Sequence, residues 1–179
     1  MSLIVQTNPP IDTANAYTDL VGFKAYHDLR LQDYTAFTDA QVTASLIEGS
    51  SYLDMRFAYN GWRASVTQPG EWPRNGLFDD RGNYVSGVPD RVVWASCEYA
   101  LRWLRQGFTL MPDPTVDETG RPVTSVEEVV GPVKTRKTFS VGQGYALPNY
   151  PYPDHLLRSR GYVSSAATGS IASNMSFRS

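Results

Sequence analysis

The residues that could support catalysis are two histidines, one cysteine and a larger number of serines and aspartates. His27 and His155 are the possible bases of a Ser-His-Asp arrangement, but neither accompanies a nucleophile-elbow motif. The adjacent pairs Asp79-Asp80 and Glu127-Glu128 point apart in a strand or turn, so neither pair forms an acid–base couple. We therefore expect surface or capping roles for the histidines, an inert buried thiol at Cys97, and no catalytic residue.

Motifs for cofactors and metals are also missing from the sequence. Neither common glycine-rich phosphate-binding motif occurs, and Gly142-Gln143-Gly144 alone is a weak glycine pair. Two histidines and one cysteine make a zinc site implausible, and a lone cysteine excludes an intrachain disulfide framework. The sequence thus predicts a protein without cofactor, metal or enzymatic activity.

Aromatic and basic residues offer a different chemistry, the binding of single-stranded DNA. Such a binder needs cations for the phosphates and rings for the bases. These elements occur in Trp62-Arg63, in Trp72-Pro73-Arg74, and in Lys134, Arg136 and Lys137 with Phe139. The whole chain is acidic, however, and the tryptophans are distant in sequence from the basic group. We therefore expect both tryptophans to fasten a loop to the core, and single-stranded-DNA binding stays open as the alternative.

Composition indicates one compact domain with much turn and loop. Of 179 residues, 41% are hydrophobic, 19% are charged, 14 are glycine and 12 are proline. The formal net charge is −2, but residues 132–179 carry +5, so residues 1–131 carry −7. A basic C-terminal third favours an acidic partner. We expect a cytoplasmic protein, because neither a signal peptide nor a membrane-spanning run is apparent.

Three stretches have the periodicity of amphipathic helices. The first runs from Thr18 to about Leu31. The second begins at Thr38, which forms a capping-box pattern with Gln41, and Gly49 on its apolar face would allow a neighbouring helix to approach closely. The third follows Pro89 and ends at Gly107, with an apolar stripe of Val92, Ser96, Tyr99, Ala100, Trp103 and Leu104.

The remaining segments read as loops, a hairpin, a short helix and a tail. A long loop covers residues 60–87, with a tight turn at Asp80-Arg81-Gly82-Asn83. Val126–Val130 and Val133–Val141 flank Gly131-Pro132 and favour an extended hairpin. Pro153 opens a short helix, His155–Arg160, and the polar tail Tyr162–Ser179 should be disordered in the free monomer.

The predicted fold is mainly α, a small helical bundle of three main helices and a short C-terminal helix. A long loop, an extended β-hairpin and a C-terminal arm complete it. We predict three parts: a helical core over residues 1–125 that includes the loop 60–87, a hairpin and short helix over 126–161, and an arm over 162–179.

Four motifs, in this order and spacing over about residues 3–160, resemble a known family. The first is Leu3-Ile4-Val5 with Ala14-Asn15-Ala16-Tyr17 and Ala25-Tyr26-His27, and the second is the run from Leu46 to Asp54 followed by Phe57 and Trp62. The third joins Trp72-Pro73-Arg74, the turn Asp79–Gly82 and Val88-Pro89 to Glu98–Leu101. The fourth is Val126–Val133 with a later Tyr-Pro element before Leu156-Leu157. Together they resemble the head–tail connector, or adaptor, family of tailed bacteriophages, some relatives of which are labelled DnaT-like single-stranded-DNA-binding proteins.

This resemblance implies a structural role in the neck of a virion assembled in a bacterial cytoplasm. The expected partners are the portal protein, copies of the chain in a ring of twelve, and a tail-side neck or stopper protein. DNA would be present only as channel content, and no membrane would be involved. The resemblance supplies no catalytic residues.

The portal and subunit contacts would fall to the hairpin, the short helix and the tail. These segments gain order on assembly, which trades conformational entropy for a wide contact surface. The residues expected to make these contacts are Lys134, Arg136, Lys137, Phe139, Tyr150, Tyr152, Arg158, Arg160, Tyr162, Phe177 and Arg178.

Overall fold

The computed structural model describes residues 2–111, 123–129, 134–139 and 148–164. Its helices are α1 (Leu20–Asp28), α2 (Asp39–Arg56), α3 (Asp90–Arg105) and α4 (Pro151–Arg158). Its strands are β1 (Trp62–Arg63), β2 (Arg74–Asn75), β3 (Val123–Val129) and β4 (Lys134–Phe139), paired antiparallel as β1–β2 and β3–β4. The prediction of a mainly helical bundle with a β-hairpin is confirmed.

The chain divides into two compact units. Met1–Leu110 and Tyr150–Ser179 form the helical unit, and Met111–Asn149 forms the hairpin unit. The sequence grouped the short helix with the hairpin, whereas α4 packs on α3 within the helical unit, because Leu156 and Leu157 are buried in its core. Residues 165–179, on which the predicted disordered arm depends, lie outside the described residues.

Helix α2 begins as its sequence predicts and is packed closely against α3. The Thr38 side chain accepts from the Gln41 backbone N–H, while Gln41 Oε1 accepts from the Thr38 backbone N–H at 2.8 Å. At Gly49, a Cβ would lie 2.9 Å from the Ala100 nitrogen and 2.9 Å from the Ser96 oxygen, so only glycine allows this approach. The Ser50 and Ser96 hydroxyls join the two helices at 2.9 Å.

The other helix boundaries differ from the predictions by a few residues. Asp19 caps α1, and Leu31 follows its end with a positive φ of 52°. Pro89 is the N-cap of α3 and so stands just before its first turn, while Gly107 with φ of 74° follows its end as predicted. Helix α4 begins at Pro151 rather than near His155, because proline suits a first helical position.

Two core clusters lie on either side of α3. One is strongly aromatic and includes Tyr52, Tyr59, Trp72, Tyr99, Tyr150 and Tyr162. The other joins α1 and α2 to α3 through Phe23, Tyr26, Val42, Leu46, Cys97 and Leu104. Trp103, predicted to lie in the apolar stripe, is half-buried, packs against both clusters and also meets Phe108 edge-on.

A buried ion pair attaches α4 to α2 and α3. Arg56 donates to both Asp154 oxygens, Nε to Oδ1 at 3.0 Å and Nη2 to Oδ2 at 2.6 Å, and the Tyr99 hydroxyl also donates to Oδ1. The two charged side chains are 10% and 8% exposed. Charges this deeply buried are tolerated only because each is paired and hydrogen-bonded.

Replacing Asp154→Asn should lower the free energy of unfolding by about 3–5 kcal/mol, because it leaves the Arg56 guanidinium buried without a counter-charge. Urea unfolding followed by circular dichroism measures this difference. The matched control is Asp80→Asn, which removes the more exposed Arg160–Asp80 pair and should cost less than about 1 kcal/mol. Equal losses in the two variants would show that the buried pair is not what holds α4.

Candidate nucleic-acid interface

Of the two histidines and the cysteine, His27 and Cys97 are buried in the core and His155 is exposed. His27 is fully buried, its Nε2–H donates to the Cys97 carbonyl at 3.1 Å, and burial lowers its pKa. The predicted surface or capping role of His27 is therefore wrong, since it is a neutral core residue; His155 is exposed. Cys97 is buried as predicted, and desolvation raises the pKa of its thiol to about 12, which removes its nucleophilic form.

The part of the chain that the structure describes contains neither a cluster of metal ligands nor a membrane-spanning helix. Within that part, no three residues of the types His, Cys, Asp and Glu are grouped so that they could hold a metal ion. Nor does any helix there have the length and apolarity needed to cross a membrane.

Asp54 on α2 is a partly buried carboxylate, and its pKa is raised further than that of any other carboxylic acid of the helical unit. It accepts the Tyr17 hydroxyl at 2.6 and 2.7 Å and the Glu71 backbone N–H at 3.1 Å. Desolvation raises its pKa to about 7, although these hydrogen bonds act in the opposite direction. The Trp72 backbone N–H in turn donates to the Tyr17 hydroxyl at 3.3 Å. The hydrogen bonds of Asp54 therefore attach the long loop to α2.

The two tryptophans of the long loop have opposite environments. Trp72 is fully buried and packs edge-on against Tyr59 and Tyr162, which confirms the prediction that it fastens the loop. Trp62 on β1 is 63% exposed, so the same prediction is wrong for this residue. The reason is the β1–β2 pairing, which sets Trp62 opposite Asn75 and places its ring over Gly76 instead of the core.

Arg74 stabilises the β1–β2 hairpin through hydrogen bonds to backbone carbonyls. Its side chain is buried, its Nε donates to the Asn60 carbonyl at 2.8 Å, and its Nη2 donates to the Gly61 carbonyl at 2.9 Å. Its Nη1 donates to the Glu71 carbonyl at 3.1 Å and pairs with the Glu71 carboxylate. Its charge is therefore used inside the fold, and Arg74 is no phosphate ligand.

Arg63, beside Trp62 on β1, has a different environment. It is exposed, and its Nη1 donates at 3.4 Å to the neutral carbonyl of Gln68. Among the described residues, no carboxylate lies within 4.0 Å of its guanidinium. The β1–β2 hairpin thus carries an exposed indole at Trp62 and an exposed cation at Arg63, on consecutive residues of one strand.

The hairpin unit carries four of the predicted contact residues. Lys134, Arg136, Lys137 and Phe139 all lie on β4. The register sets Glu127 of β3 opposite Arg136, and β3 contributes a second acid, Glu128. With three cations on β4 and two acids on β3, the net charge of the strand pair is lower than that of β4 alone.

The predicted contact residues around α4 separate into buried and exposed ones. Tyr150 and Tyr162 belong to the aromatic core, which leaves little of either ring for a partner. Tyr152 and Arg158 are exposed, and the Arg158 guanidinium lies 5.5 Å from the centre of the Phe57 ring. Arg160 pairs with Asp80 at 3.4 Å. Phe177 and Arg178 lie outside the described residues.

The ionisation of Asp54 should make stability depend on pH. Its folded pKa of about 7 exceeds the ordinary 3.8, so the folded protein binds this proton more tightly and its free energy of unfolding falls as pH rises towards 7. Between pH 5.5 and 8, the ionisation of Asp54 should lower the free energy of unfolding by about 2 kcal/mol. Buried His27 acts in the opposite direction, because its lowered pKa makes stability rise with pH.

The contribution of Asp54 is therefore measured as the difference between the wild type and Asp54→Asn. Urea unfolding of both proteins at pH 5.5 and pH 8 gives this difference. The wild type should lose more stability than the variant over that interval. Parallel behaviour would mean that Asp54 is already ionised at pH 5.5.

Comparison with known proteins connects this sequence to a family. The sequence profile of the family described as "Putative DnaT-like ssDNA binding protein" matches residues 1–176. Neither the search of curated proteins nor the search of solved structures gave a match. The comparisons thus give no support to the head–tail connector resemblance, whereas the DnaT-like label noted for its relatives is the one that matches. Since the profile covers nearly the whole sequence, this chain belongs to the DnaT-like ssDNA binding protein family.

Proposed function

We propose that the protein binds single-stranded DNA, with Trp62 as a base-stacking residue and Arg63 as a phosphate contact. The observation that carries the proposal is the exposed indole of Trp62, followed on β1 by Arg63, an exposed cation that has no carboxylate partner among the described residues. Single-strand binders combine these two elements, since every base has a face that stacks and every nucleotide carries a phosphate. Membership of the family supports the same function.

The position of the indole is fixed before any ligand arrives. A Cβ on Gly76 would lie 2.1, 2.3 and 2.8 Å from three atoms of the six-membered ring of Trp62, so the ring occupies the space that a side chain would fill. Gly76 has a positive φ of 65°, which glycine adopts without strain. A ring seated in this way loses little conformational entropy when a base stacks on it.

Binding of single-stranded DNA at the β1–β2 hairpin should be general rather than sequence-specific. Stacking on an aromatic face accepts any base, and a guanidinium reads phosphate charge rather than base edges. The affinity should fall as salt rises, because phosphate contacts release bound counterions.

Trp62→Ala should weaken binding of a fluorescently labelled oligo(dT) by about tenfold, as expected when one stacked base is lost. Fluorescence anisotropy at constant salt measures the affinity, and Trp62→Phe should recover part of it. Val66→Ala, on the same hairpin and 91% exposed, is the matched control and should bind like the wild type. A wild type that does not bind the oligonucleotide would refute the function, and equal affinities of the Trp62→Ala and Val66→Ala variants would refute the site.

A second proposal is the role as a head-to-tail adaptor in a phage neck, with the portal, further copies of the chain and a tail-side protein as partners. What supports it is the hairpin unit Met111–Asn149, since an extended antiparallel strand pair suits docking onto another subunit. On this proposal the protein is structural and not an enzyme, and it resides in the virion. The exposed residues Tyr152 and Arg158 would contribute to the contact.

Native mass distinguishes the two proposals. Light scattering after gel filtration is applied to the protein alone, with oligo(dT), and with the portal protein of the same phage. A ring-sized complex that forms only with portal favours the adaptor. A mass shift with oligo(dT) and none with portal favours the single-strand binder.

A further inference from the structure

Three arginines meet in a cleft of about 470 Å³ in the helical unit. Arg102 and Arg105 come from α3, and Arg30 comes from the segment just after α1. The apolar side of the cleft is formed by Leu101, and Tyr152 of α4 lies at its wall with 49% of its surface exposed. The cleft is lined by none of the residues assigned above to strand binding.

The cleft residues that α3 contributes are brought together by their spacing along the helix. Glu98, Leu101, Arg102 and Arg105 are separated by three, one and three residues, so they lie on one face of the helix. Arg30 is brought to this face by the packing of α1 on α3.

Neutral partners hold two of the arginines in position. The Arg30 guanidinium lies 3.7 Å from the centre of the Tyr26 ring, and its Nη1 donates to the Tyr26 carbonyl at 3.0 Å. Arg105 donates from Nη2 to the Asp33 carbonyl at 2.7 Å and from Nη1 to Gln32 Oε1 at 3.3 Å. An arginine has five N–H donors, so these bonds position each guanidinium without satisfying it.

The charge of the cleft is positive. Glu98 is the one carboxylate among its lining residues, and it is already paired with Arg102 and accepts the Tyr26 hydroxyl at 3.0 Å. The lining residues sum to +2, from three cations and one anion, and the Asp33 carboxylate, which interacts with Arg105, offsets part of this charge.

We propose that this cleft binds a phosphate-bearing anion. Guanidinium groups match the geometry of phosphate oxygens with two parallel N–H donors, and Arg30 and Arg105 have donors to offer. The phosphate belongs either to the backbone of a bound strand or to a free nucleotide. The first source rests on the proposed function, and the second is independent of it.

Isothermal titration with pyrophosphate, at ionic strength matched with sodium chloride, tests the cleft directly. Arg105→Ala should weaken pyrophosphate binding by roughly tenfold, the loss of one charge-assisted contact. Arg81→Ala removes the same charge from an exposed turn elsewhere and should leave binding unchanged. If the two variants bind equally, or if the wild type takes up no pyrophosphate, the site does not exist.

Glu98→Gln provides a second test with the opposite sign. Glutamine still accepts the Tyr26 hydroxyl, but it removes the one negative charge of the cleft, so pyrophosphate should bind several-fold more tightly. A merely structural role of Glu98 would not tighten binding, and unchanged or weaker binding in a folded variant would overturn the proposal.

Competition identifies the source of the phosphate. If oligo(dT) displaces pyrophosphate, the cleft contacts the strand backbone. If a deoxynucleoside triphosphate displaces it and oligo(dT) does not, the cleft takes a free nucleotide. A protein that binds pyrophosphate but no oligonucleotide refutes the proposed function while leaving the cleft established.

Discussion

The buried pairing of Asp154 with Arg56 and Tyr99 is the interaction on which the arrangement of the helical unit depends. It joins three helices at one point and fixes how the returning chain lies on the α2–α3 pair. Two surfaces follow from it. One end of α4 brings Tyr152 to the arginine cleft, and the chain beyond α4 brings Tyr162 against Trp72, beneath the long loop.

The long loop in turn depends on two polar residues rather than on apolar packing alone. Asp54 holds the backbone at Glu71, and Arg74 binds carbonyls on both sides of the β1–β2 hairpin. Trp72 is buried in the core, and Asp54 and Arg74 fix the backbone of the loop. The loop can therefore keep its second tryptophan, Trp62, exposed. An irregular segment of this length thus becomes a rigid presenting surface, as loops with binding roles often are.

Local signals in the sequence predicted local structure well. The capping box at Thr38, the stop at Gly107 and the close approach at Gly49 depend on neighbouring residues or on a single side chain, and all three were readable. The surface or capping role predicted for His27 was wrong, although its place one helical turn after Phe23, on the same face, indicated burial. The opposite environments of Trp62 and Trp72 could not be predicted from the sequence, because strand register and Gly76 decide them. The arginine cleft could not be predicted either, because Arg30 reaches α3 only through tertiary packing.

Net charge was the weakest guide to function, and the structure explains why. The acidic total argued against a polyanionic ligand, yet many carboxylates are used internally. Asp154 and Glu71 are paired with arginines, Asp19 caps a helix, and Asp54 has a pKa of about 7. Several cations, by contrast, are held by neutral carbonyls: Arg30, Arg63 and Arg105. A ligand responds to the charge that remains uncompensated where it binds, so an acidic chain can present basic surfaces to a phosphate backbone.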